Sequence, residues 1–166
     1  FQISLVDSFA TIVDSKTQPG RGYSPAGSYP AATHYWRVAA YDVAGNAETT
    51  AGRTLVIDTD VTVALVAPAA GMQTNDTTPA LSWTGTGDTY LVQVSRSDTF
   101  ATILDSAVVA ATTYTPAAGY GAGTCYWRVS AYDLAGNVAT AAARTLVIDT
   151  AVTAALVTPA DGARTN

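Results

Sequence analysis

Cysteine, lysine and charge are scarce in this 166-residue chain, and each shortage excludes a class of structure or function. Cys125 is the only cysteine, so no disulfide can form within the chain. Lys16 is the only lysine, 13% of the residues are charged, and the net charge is −5. Nucleic-acid binding needs a basic patch, which this sequence lacks. No apolar run reaches the roughly eighteen residues of a membrane-spanning helix. We therefore expect no nucleic-acid partner and no membrane span in this segment.

The residues that are abundant favour strands and turns. The chain is 48% hydrophobic, and alanine, threonine, valine and glycine are common. Amphipathic helices usually have a charged outer face, which this composition cannot supply along much of the chain. An all-β fold with short strands is therefore predicted.

An internal repeat organises the sequence. A shift of 91 positions aligns residues 1–75 with residues 92–166 without a gap, and 44 of the 75 positions are identical. His-Tyr-Trp-Arg-Val at 34–38 lies on Cys-Tyr-Trp-Arg-Val at 125–129. A fixed period of this size indicates one structural module per repeat.

Alternation between apolar and polar residues predicts the strands of the complete period. Tyr90, Val92 and Val94, for example, alternate with Leu91, Gln93 and Ser95, as in a strand with one buried face. Turn residues separate such runs. The predicted strands are 62–67, 79–85, 89–96, a short one near 102–105, 112–116, 124–133 and 143–149. Seven short strands in about ninety residues are typical of an aligned β-sandwich.

The repeat boundaries divide the chain into three parts. Residues 62–150 are expected to form a complete sandwich module. Residues 1–59 are expected to form a partial sandwich module that lacks its first strands, and residues 151–166 to supply the first strand of a following module. Two interpretations remain open: a stretch of a longer array, or donation of 151–166 to the open module of another chain.

Three motifs resemble a known family. They are Tyr-Leu-Val-Gln-Val-Ser at 90–95, Gly-Thr-Cys-Tyr-Trp-Arg-Val at 123–129 and Asp-Leu-Ala-Gly-Asn at 133–137. They look like motifs of bacterial fibronectin type III and Ig-like surface modules, and the resemblance covers 62–150 and, as a truncated copy, 1–59. It implies tandem seven-stranded Ig/fibronectin type III-like β-sandwiches in a secreted, extracellular or cell-surface protein.

Cys125 is a candidate nucleophile, but its position indicates a structural role. The alternation points Cys125 inward together with Trp127, Val129 and Ala131, and His34 replaces Cys125 in the other copy. A catalytic cysteine needs a base in the same site, which the sequence does not provide. We expect no enzymatic activity. The resembling family usually has a tyrosine here, whose hydroxyl holds the corner loop, so we expect that corner to be held differently or more loosely.

An outward stripe recurs in both copies. Its residues are Tyr126, Arg128 and Tyr132, repeated as Tyr35, Arg37 and Tyr41. An arginine between tyrosines can form a cross-strand ladder that stabilises the sheet. It can equally form a platform for carbohydrate or a lateral contact between filaments, and these three interpretations stay open.

Calcium and glycosylation are two further candidates. Side-chain oxygens in the turns and at the module junctions could bind Ca²⁺, the alternative being ordinary turn hydrogen bonds. The candidate ligands are Asp42, Asn46, Asp133, Asn137, Asp58, Asp60 and Asp149.

Asn75-Asp76-Thr77 matches a glycosylation acceptor sequence, and the alternative is a solvated loop.

These features predict a structural or adhesive extracellular protein whose modules form a cell-surface fibre or filament. The expected partners are copies of the chain, head to tail or side by side, with glycans or a host or neighbouring cell surface as further candidates. The alternative is a spacer or carbohydrate-binding accessory module of a secreted carbohydrate-active enzyme. No cofactor is expected apart from the candidate calcium.

Overall fold

The computed structural model describes residues 1–155 and 161–164, and strands are the only regular elements in that part of the chain. The predicted all-β class is confirmed. The chain divides into two compact units, Phe1–Asp60 with Leu134–Asn137, and Val61–Asp133 with Val138–Asn166. The strand predicted within 151–166 falls partly on residues 156–160 and 165–166, which lie outside the described residues.

The first unit contains one sheet and one hairpin. The four-stranded antiparallel sheet has the order β2-β1-β3-β6, and the hairpin pairs β4 with β5. Their bounds are β1 Gln2–Ser4, β2 Ile12–Ser15, β3 Ala32–Arg37, β4 Ala39–Tyr41, β5 Ala47–Thr49 and β6 Arg53–Ile57. Ile3 and His34 are fully buried between these strands and the loops around them.

The second unit contains two sheets. The larger follows the order β11-β10-β13-β15-β8, with β14 paired to β13, and the smaller has the order β12-β9-β7. Their bounds are β7 Val63–Ala67, β8 Met72–Thr74, β9 Leu81–Gly85, β10 Thr89–Ser95, β11 Ile103–Val109, β12 Thr113–Tyr114, β13 Gly123–Tyr132, β14 Val138–Thr140 and β15 Arg144–Ile148.

The inward faces of both sheets form the core of the second unit. Leu81 and Trp83 of β9 are 0% and 2% exposed, and they belong to one apolar cluster with Val92 of β10 and Trp127 of β13. The predicted alternation of β10 and β13 is confirmed, since Cys125, Trp127, Val129 and Ala131 are all fully buried. Burial of each large apolar side chain stabilises the fold by about 1.5–3 kcal/mol.

All seven predicted strands are present, and two further strands were not predicted. The strand expected near 102–105 extends over Ile103–Val109, while β8 and β14 are the additions. The short strand β8 pairs in parallel with β15, from Leu146↔Met72 to Ile148↔Thr74. Arg144, at the start of β15, donates to the backbone oxygens of Leu65, Val66 and Pro68 at 2.6–3.1 Å. These bonds tie the last strand of the unit to its first.

Candidate functional site

A half-buried carboxylate with two tyrosines holds one corner of the second unit. Oδ2 of Asp105 on β11 accepts hydrogen bonds from the hydroxyls of Tyr114 and Tyr120, at 2.9 and 2.8 Å. The backbone amide of Tyr120 also donates to Thr77 O at 2.7 Å. We call this group of three side chains the tyrosine clasp. It fastens the loop before β13, so the corner is indeed held differently from the family pattern, by Tyr120 rather than by a side chain at position 125.

The first unit contains the same clasp at the matching positions. Asp14 Oδ2 accepts from Tyr23 and Tyr29 at 2.6 and 2.7 Å. The hydrogen bond from Tyr23, and then that from Tyr29, lower the pKa of Asp14 below its ordinary value of 3.8. Burial, followed by the hydrogen bond to the carboxylate, raises the pKa of Tyr120 far above its ordinary value. The clasp of the first unit therefore holds an ionised carboxylate against neutral phenols at neutral pH.

An open cleft lies beside the clasp of the first unit. It has a volume of about 310 Å³, and its walls include Asp14, Tyr23, Ser28 and Tyr29. The ring of Phe1 stacks on Tyr23 with centroids 4.4 Å apart. Aromatic faces beside hydroxyl and carboxylate oxygens are groups that can contact a sugar, although the Asp14 carboxylate already accepts two hydrogen bonds.

Cys125 and His34 occupy the same structural position and are both fully buried. Burial raises the pKa of the Cys125 thiol, which disfavours the reactive thiolate. His34 Nδ1 lies 3.1 Å from Ala32 O, and its Nε2 has no hydrogen-bond partner among the residues that the structure describes. The ring of Tyr29 packs against the imidazole at 5.4 Å. His34 lies in the core of the first unit and Cys125 in the core of the second. This placement supports a structural role for both residues.

The arginines of the predicted stripe are held by phenylalanine rather than by the neighbouring tyrosines. The guanidinium of Arg128 lies 4.1 Å from the centre of the Phe100 ring, and its Nε donates to Gln93 Oε1 at 2.9 Å. Arg37 makes the same contacts, with Phe9 at 4.1 Å and Gln2 at 2.8 Å. Each glutamine is the direct cross-strand partner of its arginine. We call these two groups the arginine stacks.

The loop that carries the phenylalanine has an unusual backbone. Phe9 and Phe100 have φ values of 57° and 56°, a left-handed conformation that costs energy for residues other than glycine. Both rings are 8% exposed, so burial of the ring and its contact with arginine offset that cost. Asp98-Thr99-Phe100 is therefore a loop with an apolar anchor.

The tyrosines of the stripe differ in exposure. Tyr35 and Tyr126 are half-buried beside the arginines, while Tyr41 and Tyr132 are 70% and 37% exposed. Accessible tyrosine rings are available to a partner, whereas the guanidinium groups already have partners inside their own units. The binding role of the stripe remains a prediction.

Three of the candidate calcium ligands, Asp42, Asp58 and Asp149, accept hydrogen bonds from nearby backbone amides. Asp42 accepts from the amides of Ala44 and Asn46 and from Asn46 Nδ2, at 2.7–2.9 Å, and these bonds lower its pKa. Asp58 and Asp149 each accept from the amide two residues further on, that of Asp60 and that of Ala151.

The remaining candidate ligands come from the turn that follows β13. Within the first unit, Asn137 Nδ2 donates to Asp58 O at 3.1 Å, and Asp133 precedes that turn. Among residues 1–155 and 161–164, no three histidine, cysteine, aspartate or glutamate side chains form a group that could hold a metal ion. Calcium binding stays a prediction.

The predicted glycosylation site lies on the surface. Asn75 is exposed directly after β8, in a turn where Asp76 Oδ1 accepts from the amide of Thr78 at 2.8 Å. An attached glycan would therefore project from the loop, and this modification also stays a prediction.

The clasps were missed at the level of sequence, although a signal for them existed. In both copies the tyrosines follow the aspartate by 9 and 15 positions, and all three residue types are unchanged. The stack partners Phe9 and Phe100 are likewise unchanged between the copies. Identity between the copies at polar and loop positions therefore marked both networks.

Comparisons with known proteins agree with this architecture. A family model described as bacterial Ig-like domain matches residues 68–150. It represents non-catalytic modules that are typically found in extracellular or surface proteins. No curated protein matches the chain. In the part of the chain that the structure describes, no helix has the length and apolar character to cross a bilayer.

Proposed function

Because the chain belongs to the bacterial Ig-like domain family, we propose that it is a structural and adhesive part of a secreted bacterial surface fibre or filament, without catalytic activity of its own. Its modules are rigid spacers and contact surfaces. Partners are copies of the same chain, head to tail or side by side, and a glycan or a host or neighbouring cell surface at the adhesive end.

The observation that carries this proposal is the recurrence of two internal networks. Each unit has one tyrosine clasp and one arginine stack, at positions 91 residues apart. A binding or catalytic site would need polar groups left available for a ligand, yet these charged side chains are used to fasten loops to the unit that carries them. Repetition of fastened, rigid modules favours a mechanical role.

Electron microscopy of the native cell surface tests this function. We expect filaments whose axial repeat equals one module or a small multiple of it, labelled along their length by an antibody against the second unit. Labelling confined to isolated beads on flexible tethers would support a spacer instead. Labelling inside the cell would contradict the proposal.

Carbohydrate binding, as in an accessory module of a secreted carbohydrate-active enzyme, is a second candidate. The cleft beside Asp14 and Tyr23 supports it, because it presents aromatic and oxygen-bearing side chains together. Titration of the chain with a panel of soluble bacterial and plant oligosaccharides tests it, with Tyr23→Ala as the variant and Tyr114→Ala as the matched control. Binding that Tyr23→Ala abolishes and Tyr114→Ala preserves would favour this candidate, as would a catalytic domain in the same gene.

A further inference from the structure

The strand β11 forms an exposed edge of the larger sheet in the second unit. It pairs with β10 on one side and, among the described residues, with no strand on the other. Its seven residues make it the longest edge strand in that part of the chain. An unpaired edge presents a row of backbone donors and acceptors to which another strand can add.

Two of the three outward side chains of this edge are apolar. Leu104 and Val108 are 47% and 70% exposed, and Ser106 lies between them on the same face. Asp105 is the only charged residue of the strand, and its carboxylate faces inward to the clasp. The edge therefore has none of the lysines, prolines or free charges that usually prevent pairing. A bulge at Leu104, which has no direct partner on β10, interrupts the register at one end, and Asp105–Val109 pair regularly with Val94–Tyr90.

The matching edge of the first unit is different. Its strand β2 is four residues long and is followed by Lys16, Thr17 and Gln18, which take the places of Ala107, Val108 and Val109. A lysine on an edge strand opposes pairing because its ammonium would have to lose water against a neighbouring strand. The edge strand β2 is thus protected against pairing, whereas its counterpart β11 is not.

The open edge is complementary to itself. An antiparallel pair centred on Ser106 brings Leu104, at the bulge, beside Val108 of the second strand on the exposed face. It places Asp105 opposite Ala107 on the inner face, so that no two charges meet. Apolar pairs directly opposite each other stabilise a sheet, and like charges in those positions destabilise it.

We propose that β11 is a self-association edge, at which two copies of this chain join their larger sheets through an antiparallel β11–β11 pair centred on Ser106. The occupant is a second copy of the chain. The pairing rests on the proposed function, as one form of its side-by-side contact. A chain that stays monomeric would overturn the pairing and leave head-to-tail assembly of a filament standing.

Sedimentation velocity of the purified chain over a wide concentration range tests the association. We expect a reversible dimer, and we expect Ala107→Lys and Val108→Lys to weaken it by about tenfold or more. Val152→Lys is the matched control, because this substitution adds the same charge at a residue that is 96% exposed and lies outside any strand. A monomer at every concentration, or equal association of the lysine variants and the wild type, would overturn the proposal.

Cross-linking tests the register and does not depend on the lysine variants. In a Cys125→Ala background, Ser106→Cys should form a disulfide-linked dimer under mild oxidation, because the two Ser106 positions face each other. Val66→Cys is the control, since Val66 is 54% exposed on the edge strand β7 of the smaller sheet. Cross-linking at equal rates in the two variants, or only at Val66, would contradict the register.

Discussion

The 91-residue shift aligns 75 positions with 44 identical residues, yet equivalent side chains of the two units are buried to very different extents. Val129 and Leu146 are 0% and 1% exposed, whereas their counterparts Val38 and Leu55 are both 39% exposed. The second unit has a three-stranded sheet, β12-β9-β7, over these residues. The first unit has no such sheet among its described residues. The local sequence determines which face of a strand is apolar. Whether that face is shielded from solvent depends on the elements that pack against it.

The local networks, by contrast, are the same in both units. The clasps agree within 0.3 Å in their hydrogen-bond lengths, and both arginine stacks place the guanidinium 4.1 Å from the ring centre. Each network joins neighbouring strands and loops of one sheet, so a covering sheet is not needed to form it. Variants at matched positions can therefore separate contributions that need the second sheet from those that do not.

The largest difference is expected at the repeated tryptophan. Trp127→Ala should destabilise the second unit by about 3–5 kcal/mol, because it opens a cavity in a packed core. Trp36→Ala should cost the first unit roughly half of that or less, because Trp36 is already half-exposed. Denaturant unfolding followed by circular dichroism, with hydrogen exchange to assign each transition, measures both. Equal losses would mean that the first unit is covered in solution.

A smaller difference is expected at the clasp. Asp105→Asn removes the charge from two hydrogen bonds and should cost the second unit about 1–3 kcal/mol. Asp14→Asn should cost the first unit less, because Tyr29 is half-buried while Tyr120 is only 4% exposed. The same unfolding experiment gives both values, and Tyr120→Phe, which removes one of the two bonds, should fall between Asp105→Asn and the wild type.

The arginine stacks should show no difference between the units. Lysine cannot reproduce the planar contact with phenylalanine or the Nε hydrogen bond to glutamine. Arg37→Lys and Arg128→Lys should therefore each cost about 1 kcal/mol, and the two losses should agree. A much larger loss at Arg128 would show that the second sheet also strengthens the stack.

The smallest effect is expected in the pH dependence of the first unit. Since the folded-state pKa of Asp14 is lowered from 3.8, its ionised form stabilises the fold above that value. This contribution is lost as pH falls below about 3.8 through the folded-state pKa. Thermal melting between pH 2 and 7 should show a steeper acid loss in the wild type than in Asp14→Asn. Parallel curves would exclude the clasp as the cause.

The sequence predicted the features that depend on alternation, and it failed where distant segments meet. The inward faces of β10 and β13 follow from a period of two residues, so Val92 and Trp127 could be placed correctly. Strand β8 has only three residues, which is too short for a pattern to be recognised. It is defined by its parallel pairing with β15, about seventy positions further on.

The arginine stacks show a second limit. Alternation placed Arg128 on the outward face but could not show that Phe100 would turn onto it. That contact depends on a left-handed loop conformation, which no periodic pattern specifies. The candidate stripe was therefore located correctly, while the partners of its arginines were not.

The parallel pair of β8 and β15 also determines how the second unit would respond to tension. If the two ends of the unit are pulled apart, adjacent parallel strands near those ends slide in opposite directions along their length. Their backbone hydrogen bonds are then loaded together in shear, instead of opening one after another. The three bonds from Arg144 to the segment Leu65–Pro68 share the same load. We therefore expect the second unit to unfold only at a high applied force. Single-molecule stretching measures this force, and Arg144→Ala should lower it.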